Sequence, residues 1–221
     1  MTSSVALLKT APAVHPSSGW RPRAVTGMAF GALIMGFFGA VWLLWALAAM
    51  NLWIPIVIAA VVGLAASVSI PAIALLRTGF RLTRQSGPVN AEAKREQSRM
   101  GRNFGLIFAA EGVLIFLALN VLNHLHLGDY AISAIAAIVG LHFLPLARLY
   151  RRPMYNVVGI IMTVAALLSL AVPASMRIGV LASTMSAILW ITCALVIRTG
   201  FVWGRELTVE NSGRSTISTP V

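Results

Sequence analysis

The stretch NFGLIFAAEGVLIFLALNVL, residues 103–122, decides the fold, because it is 20 residues long and carries a single charge, Glu111. At ~1.5 Å per residue a helix of that length reaches across the ~30 Å hydrocarbon core of a bilayer. Five further stretches read the same way: 24–49, 52–76, 130–147, 154–173 and 177–197. Across all 221 residues 58% are hydrophobic and only 10% are charged, whereas soluble domains carry roughly a quarter charged residues. The expected fold class is therefore all-α, a polytopic transmembrane bundle of six helices arranged as three hairpins.

Charge placement gives the expected orientation. Basic residues cluster before the first span (Lys9, Arg21, Arg23), after the second (Arg77 to Arg102), after the fourth (Arg148, Arg151, Arg152) and after the sixth (Arg198, Arg205, Arg214). Arg177 is the one basic residue of the 17 that falls on the other side. Under the positive-inside rule both termini are cytoplasmic, in a bacterial-type inner membrane. The net charge of +11 is then a record of topology, and it draws anionic lipids to the cytoplasmic face. Nucleic acid is not the partner this charge implies. Trp20, Tyr150, Tyr155 and Trp203 fall at the inner boundary, and Trp53 and Tyr130 at the outer one, as interfacial aromatics do. Trp42, Trp45 and Trp190 lie deeper and are expected to pack between helices. Ala46-Leu47-Ala48 mimics a signal-peptidase site, but the apolar run before it exceeds the ~7–15 residues of a signal core, so it reads as a retained span. The lone Cys193 gives no disulfide framework.

A repeated phrase marks two span ends. Leu76-Arg77-Thr78-Gly79-Phe80 follows the second span and Ile197-Arg198-Thr199-Gly200-Phe201 the sixth, with a looser Arg148-Leu149-Tyr150 after the fourth. Arg77, Arg148 and Arg198 read as interfacial anchors that snorkel to phosphates and favour the negative end of a helix dipole. The glycines read as left-handed C-caps. The loop 78–102 is expected to be cytoplasmic, with Asn90 capping a short surface helix that ends at Arg99. Within it Glu92–Arg95 and Glu96–Arg99 have i,i+3 spacing. The flanks 1–23 and 206–221 read as disordered cytoplasmic tails around a transmembrane domain of residues 24–205.

Small residues recur at helical spacing on the first two spans, at Gly27, Gly31, Ala32, Gly36 and Ala40, then Ala59, Gly63 and Ser67. Such stripes let helix backbones approach in lipid; association into a homo-oligomer is compatible with them. Pro71 and Pro145 lie inside spans and are expected to bend them, since proline removes one backbone hydrogen bond.

Glu111 is the only one of the six acids placed well within a span. A charge at membrane depth costs about 2.5–3.5 kcal/mol on insertion scales, so a partner is expected. His142, on the neighbouring antiparallel span, lies at similar depth by the ~1.5 Å rise per residue. The pair reads either as a substrate or proton path or as a polar contact that fixes helix packing. His124, His126 and Asp129 beside the outer turn invite a metal, but histidines two apart on a helix diverge and a fourth ligand is missing, so neither metal nor other cofactor is expected. No nucleotide loop, metalloprotease helix or nucleophile elbow is present.

The phrase GLHFLPLARLYRR, residues 140–152, with Tyr155 following, resembles a segment of uncharacterised six-span bacterial integral membrane proteins. The resemblance implies six spans and carries no catalytic residues. Three function classes remain: a small-solute or ion transporter or channel built on the Glu111–His142 pair, a noncatalytic membrane subunit or sensor, and, third, an intramembrane enzyme. The composition argues against an enzyme, since no nucleophile accompanies the pair.

The topology is open to test by accessibility labelling in intact cells. Cysteines placed at Ser86 and Ser212 are expected to resist a membrane-impermeant reagent added from outside, and labelling of either contradicts the charge-based orientation.

Overall fold

The computed structural model describes residues 20–85 and 91–217. Six long helices account for nearly all of them: α1 (Trp20–Ala49), α2 (Pro55–Gln85), α3 (Ala91–His124), α4 (Ala131–Tyr150), α5 (Pro153–Leu168) and α6 (Ala174–Ile217). Short 3-10 turns at Gly128–Tyr130 and Ser169–Ala171 complete two of the connections. All six helices are long and apolar enough to cross a membrane. They run up and down, so the N-termini of α1, α3 and α5 and the C-termini of α2, α4 and α6 share the basic end of the bundle.

Helix ends depart from the expected caps. Gly79 and Gly200 are not C-caps at all, because α2 continues to Gln85 and α6 to Ile217. Both are crossing points: a Cβ on Gly79 would meet Thr26 of α1 at 2.5 Å, and one on Gly200 would run into the Leu75 side chain. The left-handed positions are instead Asn51, His126 and Arg151, with φ of 54°, 57° and 52°. Each follows a helix and is closed by the six-to-one bond of a Schellman turn, from Leu52 N to Leu47 O (2.9 Å), Leu127 N to Leu122 O (2.8 Å) and Arg152 N to Ala147 O (3.0 Å). A non-glycine residue there costs roughly 1–2 kcal/mol, which two saturated carbonyls offset. His126 is thus a backbone turn residue.

The continued helices also redraw the expected loops. The 78–102 segment is mostly helix, with only residues 86–90 outside the described elements. Residues 91–102 are not a separate surface helix but the first three turns of α3 itself. Of the expected tails, 20–23 belong to α1 and 206–217 to α6, since no proline follows Pro173 until Pro220; residues 1–19 and 218–221 lie outside the described residues. Leu207 on this extension is buried with Val25, Ala29, Leu75 and Leu82, a small three-helix core at the basic end.

Packing partners are set by small residues and polar seams. α6 lies along α1, and a ladder of side chains joins them: Ser186 Oγ donates to Gly39 O (2.8 Å), Trp190 Nε1 to Gly36 O (3.2 Å) and Cys193 Sγ to Ala32 O (3.0 Å). The donor numbers rise as the acceptor numbers fall, as antiparallel helices require. Trp42 is buried, whereas Trp45 stacks on it at 5.7 Å from the outer, exposed side and so does not pack between helices. α2 covers α1, α5 packs on α4, and the α5–α6 contact is slight, so the third pair is joined in sequence more than in space. α4 and α5 cross nearly backbone to backbone: a Cβ on Gly159 would sit 2.7 Å from Gly140 O, and one on Gly140 would sit 2.8 Å from Thr163 N. α3 packs chiefly on α4. Leu106, Val113, Leu114 and Phe116 leave its other faces exposed and apolar.

Gly159→Ala and Gly140→Ala are expected to destabilise by roughly 1–3 kcal/mol, because backbone atoms must move to admit the methyl group. Gly112→Ala, with nothing within 4 Å of the new carbon, should be neutral or slightly stabilising through helix propensity. Thermal unfolding of the three variants in detergent checks the contrast.

Candidate functional site

Glu111 has only one way out of lipid. It sits on the α3 face that meets α4, 9% exposed, and its Oε1 lies 3.2 Å from His142 Nδ1. Among the described residues this is the one salt-bridge contact. The structure therefore brings together the two ionisable groups that sequence placed at one depth. Glu92–Arg95 and Glu96–Arg99, by contrast, do not close into ion pairs: these side chains are exposed to water, where a surface pair gains ~0–1 kcal/mol.

The geometry also places a proton. His142 Nδ1 is 3.1 Å from Val139 O as well as 3.2 Å from Glu111 Oε1. A carbonyl oxygen only accepts, so a bare Nδ1 would set two lone pairs against each other. Nδ1–H, donating to both oxygens, satisfies every contact, and the tautomer follows from the network. Neither Nε2 nor the second carboxylate oxygen has a hydrogen-bond partner among the described residues. The arrangement has capacity at both ends: the imidazole can take a proton on Nε2 and the carboxylate can take one on Oε2.

α4 holds its half of the pair firmly. Gly140, two residues before His142, is pinned against α5, and Thr163 Oγ1 bonds back to Gly159 O at 2.8 Å. Toward the basic end an aromatic column follows, from His142 to Phe143 (4.8 Å), Tyr155 (6.1 Å), Tyr150 (6.1 Å) and Phe104 of α3 (6.4 Å), measured between successive ring centroids. Pro145 lies in this part of α4 and Pro71 within α2, each inside an unbroken helix. Arg77, Arg148 and Arg198 are all exposed at the basic end. Arg152 instead stacks on Trp203 of α6, its guanidinium carbon 4.3 Å from the ring centre.

The metal candidates disperse. His124, His126 and Asp129 are exposed, and no group of three potential ligands forms among the described residues.

Sequence reasoning passed over the most connected polar side chain, Arg177. It is 6% exposed at the end opposite the other bases. Its Nε donates to Ser169 O (3.1 Å) and Val172 O (3.3 Å), Nη2 to Val172 O (3.1 Å) and Nη1 to Asp129 O (3.0 Å). The guanidinium also lies 4.9 Å from the Tyr130 ring centre. It thus caps the negative end of α5 and ties the α3–α4 connection to α6. Beside it Ser169 donates to Ala166 O (2.6 Å), which leaves its oxygen to accept from Ser133 Oγ at 2.8 Å. A lone arginine four residues past Pro173 in an apolar context was the available signal.

Residues 88–199, more than half of the chain, match the profile of a family of unknown function (DUF7010), and the chain belongs to that family. The matched segment takes in Glu111, His142 and Arg177. No curated protein and no solved structure matches the chain.

Arg177→Ala is expected to lower stability by roughly 1–3 kcal/mol, because the carbonyls of Ser169, Val172 and Asp129 lose the donors of a buried guanidinium. Arg177→Lys should recover only part of it, since an ammonium lacks the planar fork. Thermal unfolding distinguishes the order wild type, Lys, Ala from an unconnected surface residue, for which all three coincide.

Proposed function

We propose that this member of the family is a small membrane transporter or channel in which the Glu111–His142 pair exchanges a proton as a solute or ion moves. One observation carries the reading: a carboxylate and an imidazole, 3.2 Å apart at mid-span, each keep one unpartnered titratable atom. Ionisable residues inside spans are expensive and mark proton relays and ion pathways more than structural contacts. In this reading a proton arrives on Nε2, the imidazolium is held by the ionised carboxylate, and the proton leaves again from Nε2. α3 is fastened chiefly to α4, so a change in the pair's charge acts on the contact that holds the helix. The basic end faces the cytoplasm of a bacterial-type cell, with both termini and its arginines beside anionic lipid heads.

A second reading, a noncatalytic membrane subunit, draws on the exposed apolar faces of α3, where Leu106, Val113 and Phe116 are each more than half exposed. Such a face suits lipid and a partner helix equally.

Proton flux into liposomes containing the purified chain tests the proposal. The wild type should acidify the lumen under an imposed gradient, and Glu111→Gln, which keeps shape and hydrogen bonding but not the negative charge that holds the imidazolium, should lose at least about tenfold of that rate, or ~1.4 kcal/mol, while unfolding at an unchanged temperature. Equal flux in both contradicts the role of Glu111; no flux in either favours the subunit.

A further inference from the structure

The first three turns of α3 carry a cationic face that the Glu111–His142 pair does not use. Lys94, Arg95, Ser98, Arg99 and Arg102 line one shallow groove with Ala91 at its top. At ~100° per residue these positions fall within one arc of the helix, and Glu92 and Glu96 border that arc without lining the groove. All four basic residues are exposed, and none is in a salt bridge. A topological signal requires only a count of positive charges near a span end; it does not require them gathered along one groove without a closed ion pair.

Their height is informative. The uncharged run of α3 begins at Phe104, and from there Arg102 and Arg99 stand about 3 and 8 Å along the axis, Arg95 and Lys94 about 14 and 15 Å. A head-group layer is about 5–7 Å deep. Arg102 therefore lies within the head-group layer, Arg99 at its outer edge and the upper pair beyond it. Helical Cα–Cβ bonds tilt toward the N-terminus, which in α3 points away from the bilayer, so the upper side chains lean outward and not back to the lipid.

We propose that this face is a phosphate-binding site along the first three turns of α3. Arginine supplies planar two-point donation to phosphate oxygens, lysine a point charge and Ser98 a hydroxyl donor. The phosphates come either from anionic phospholipid heads at Arg99 and Arg102 or from a soluble polyphosphate that reaches Lys94 and Arg95.

The full chain in a neutral detergent separates these sources. Its unfolding temperature is followed while dioctanoyl phosphatidylglycerol, dioctanoyl phosphatidylcholine or sodium tripolyphosphate is added. The variants are a fourfold glutamine replacement (K94Q, R95Q, R99Q and R102Q) and a control at the end of α2 (R77Q, R81Q and R84Q). The proposal expects phosphatidylglycerol or tripolyphosphate, but not phosphatidylcholine, to raise the temperature of the wild type and the control, with the shift lost in the fourfold variant. A shift with phosphatidylglycerol alone assigns the site to lipid, and one with tripolyphosphate alone or at lower concentration assigns it to a soluble ligand. No shift with either, a shift retained by the fourfold variant, or an equal loss in the control overturns it.

Discussion

Lipid offers no hydrogen bonds, so every polar group carried into it must be satisfied by the protein itself. The helix partnerships follow from that constraint. Ser186, Trp190 and Cys193 donate across to carbonyls of α1, and Ser133 reaches Ser169 between α4 and the end of α5. Each such bond contributes about 0.6–2 kcal/mol in a membrane, and together they select which helices lie side by side. Glycines act with them, because a backbone is approached more closely where no Cβ intervenes. Gly36 and Gly39 supply two of the three acceptors on α1.

Glu111 is the sharpest case of the same rule. Its helix has one substantial neighbour, so the carboxylate can be satisfied only toward α4, and that requirement sets the rotation of α3 about its axis. His142 waits at the meeting point on a helix already fixed against α5 by the Gly140–Gly159 crossing. Arg177 of α6 ties the opposite end together through carbonyls of the α3–α4 connection and the end of α5. One assembly is therefore fastened at several points, while α3 is held along a single seam with an ionisable pair in its middle. That contrast, more than burial alone, sets the pair apart from the other polar contacts of the bundle.

The six spans were legible in the sequence because length and apolar composition are local properties. The depth match of Glu111 and His142 was legible too, since the rise per residue is fixed and the two helices are joined by a short turn. Helix ends were not. Gly79 and Gly200 carry a C-cap's residue type, yet their use is decided by Thr26 and Leu75, which are remote in sequence. The true left-handed positions are Asn51, His126 and Arg151; Asn and His tolerate that region, whereas nothing local marks Arg151. The α1–α6 seam and the reach of Arg177 to Asp129 are likewise long-range, and nothing in the periodicity of one helix reports its partner.

The most direct test of the central claim, a proton-sharing contact between α3 and α4, is the ¹⁵N spectrum of His142 in lipid bilayers. The account predicts a proton on Nδ1 at neutral pH, in a strong hydrogen bond whose signal shifts when Glu111 is replaced by Gln. A proton on Nε2 with a bare Nδ1, or a spectrum indifferent to that replacement, would contradict it.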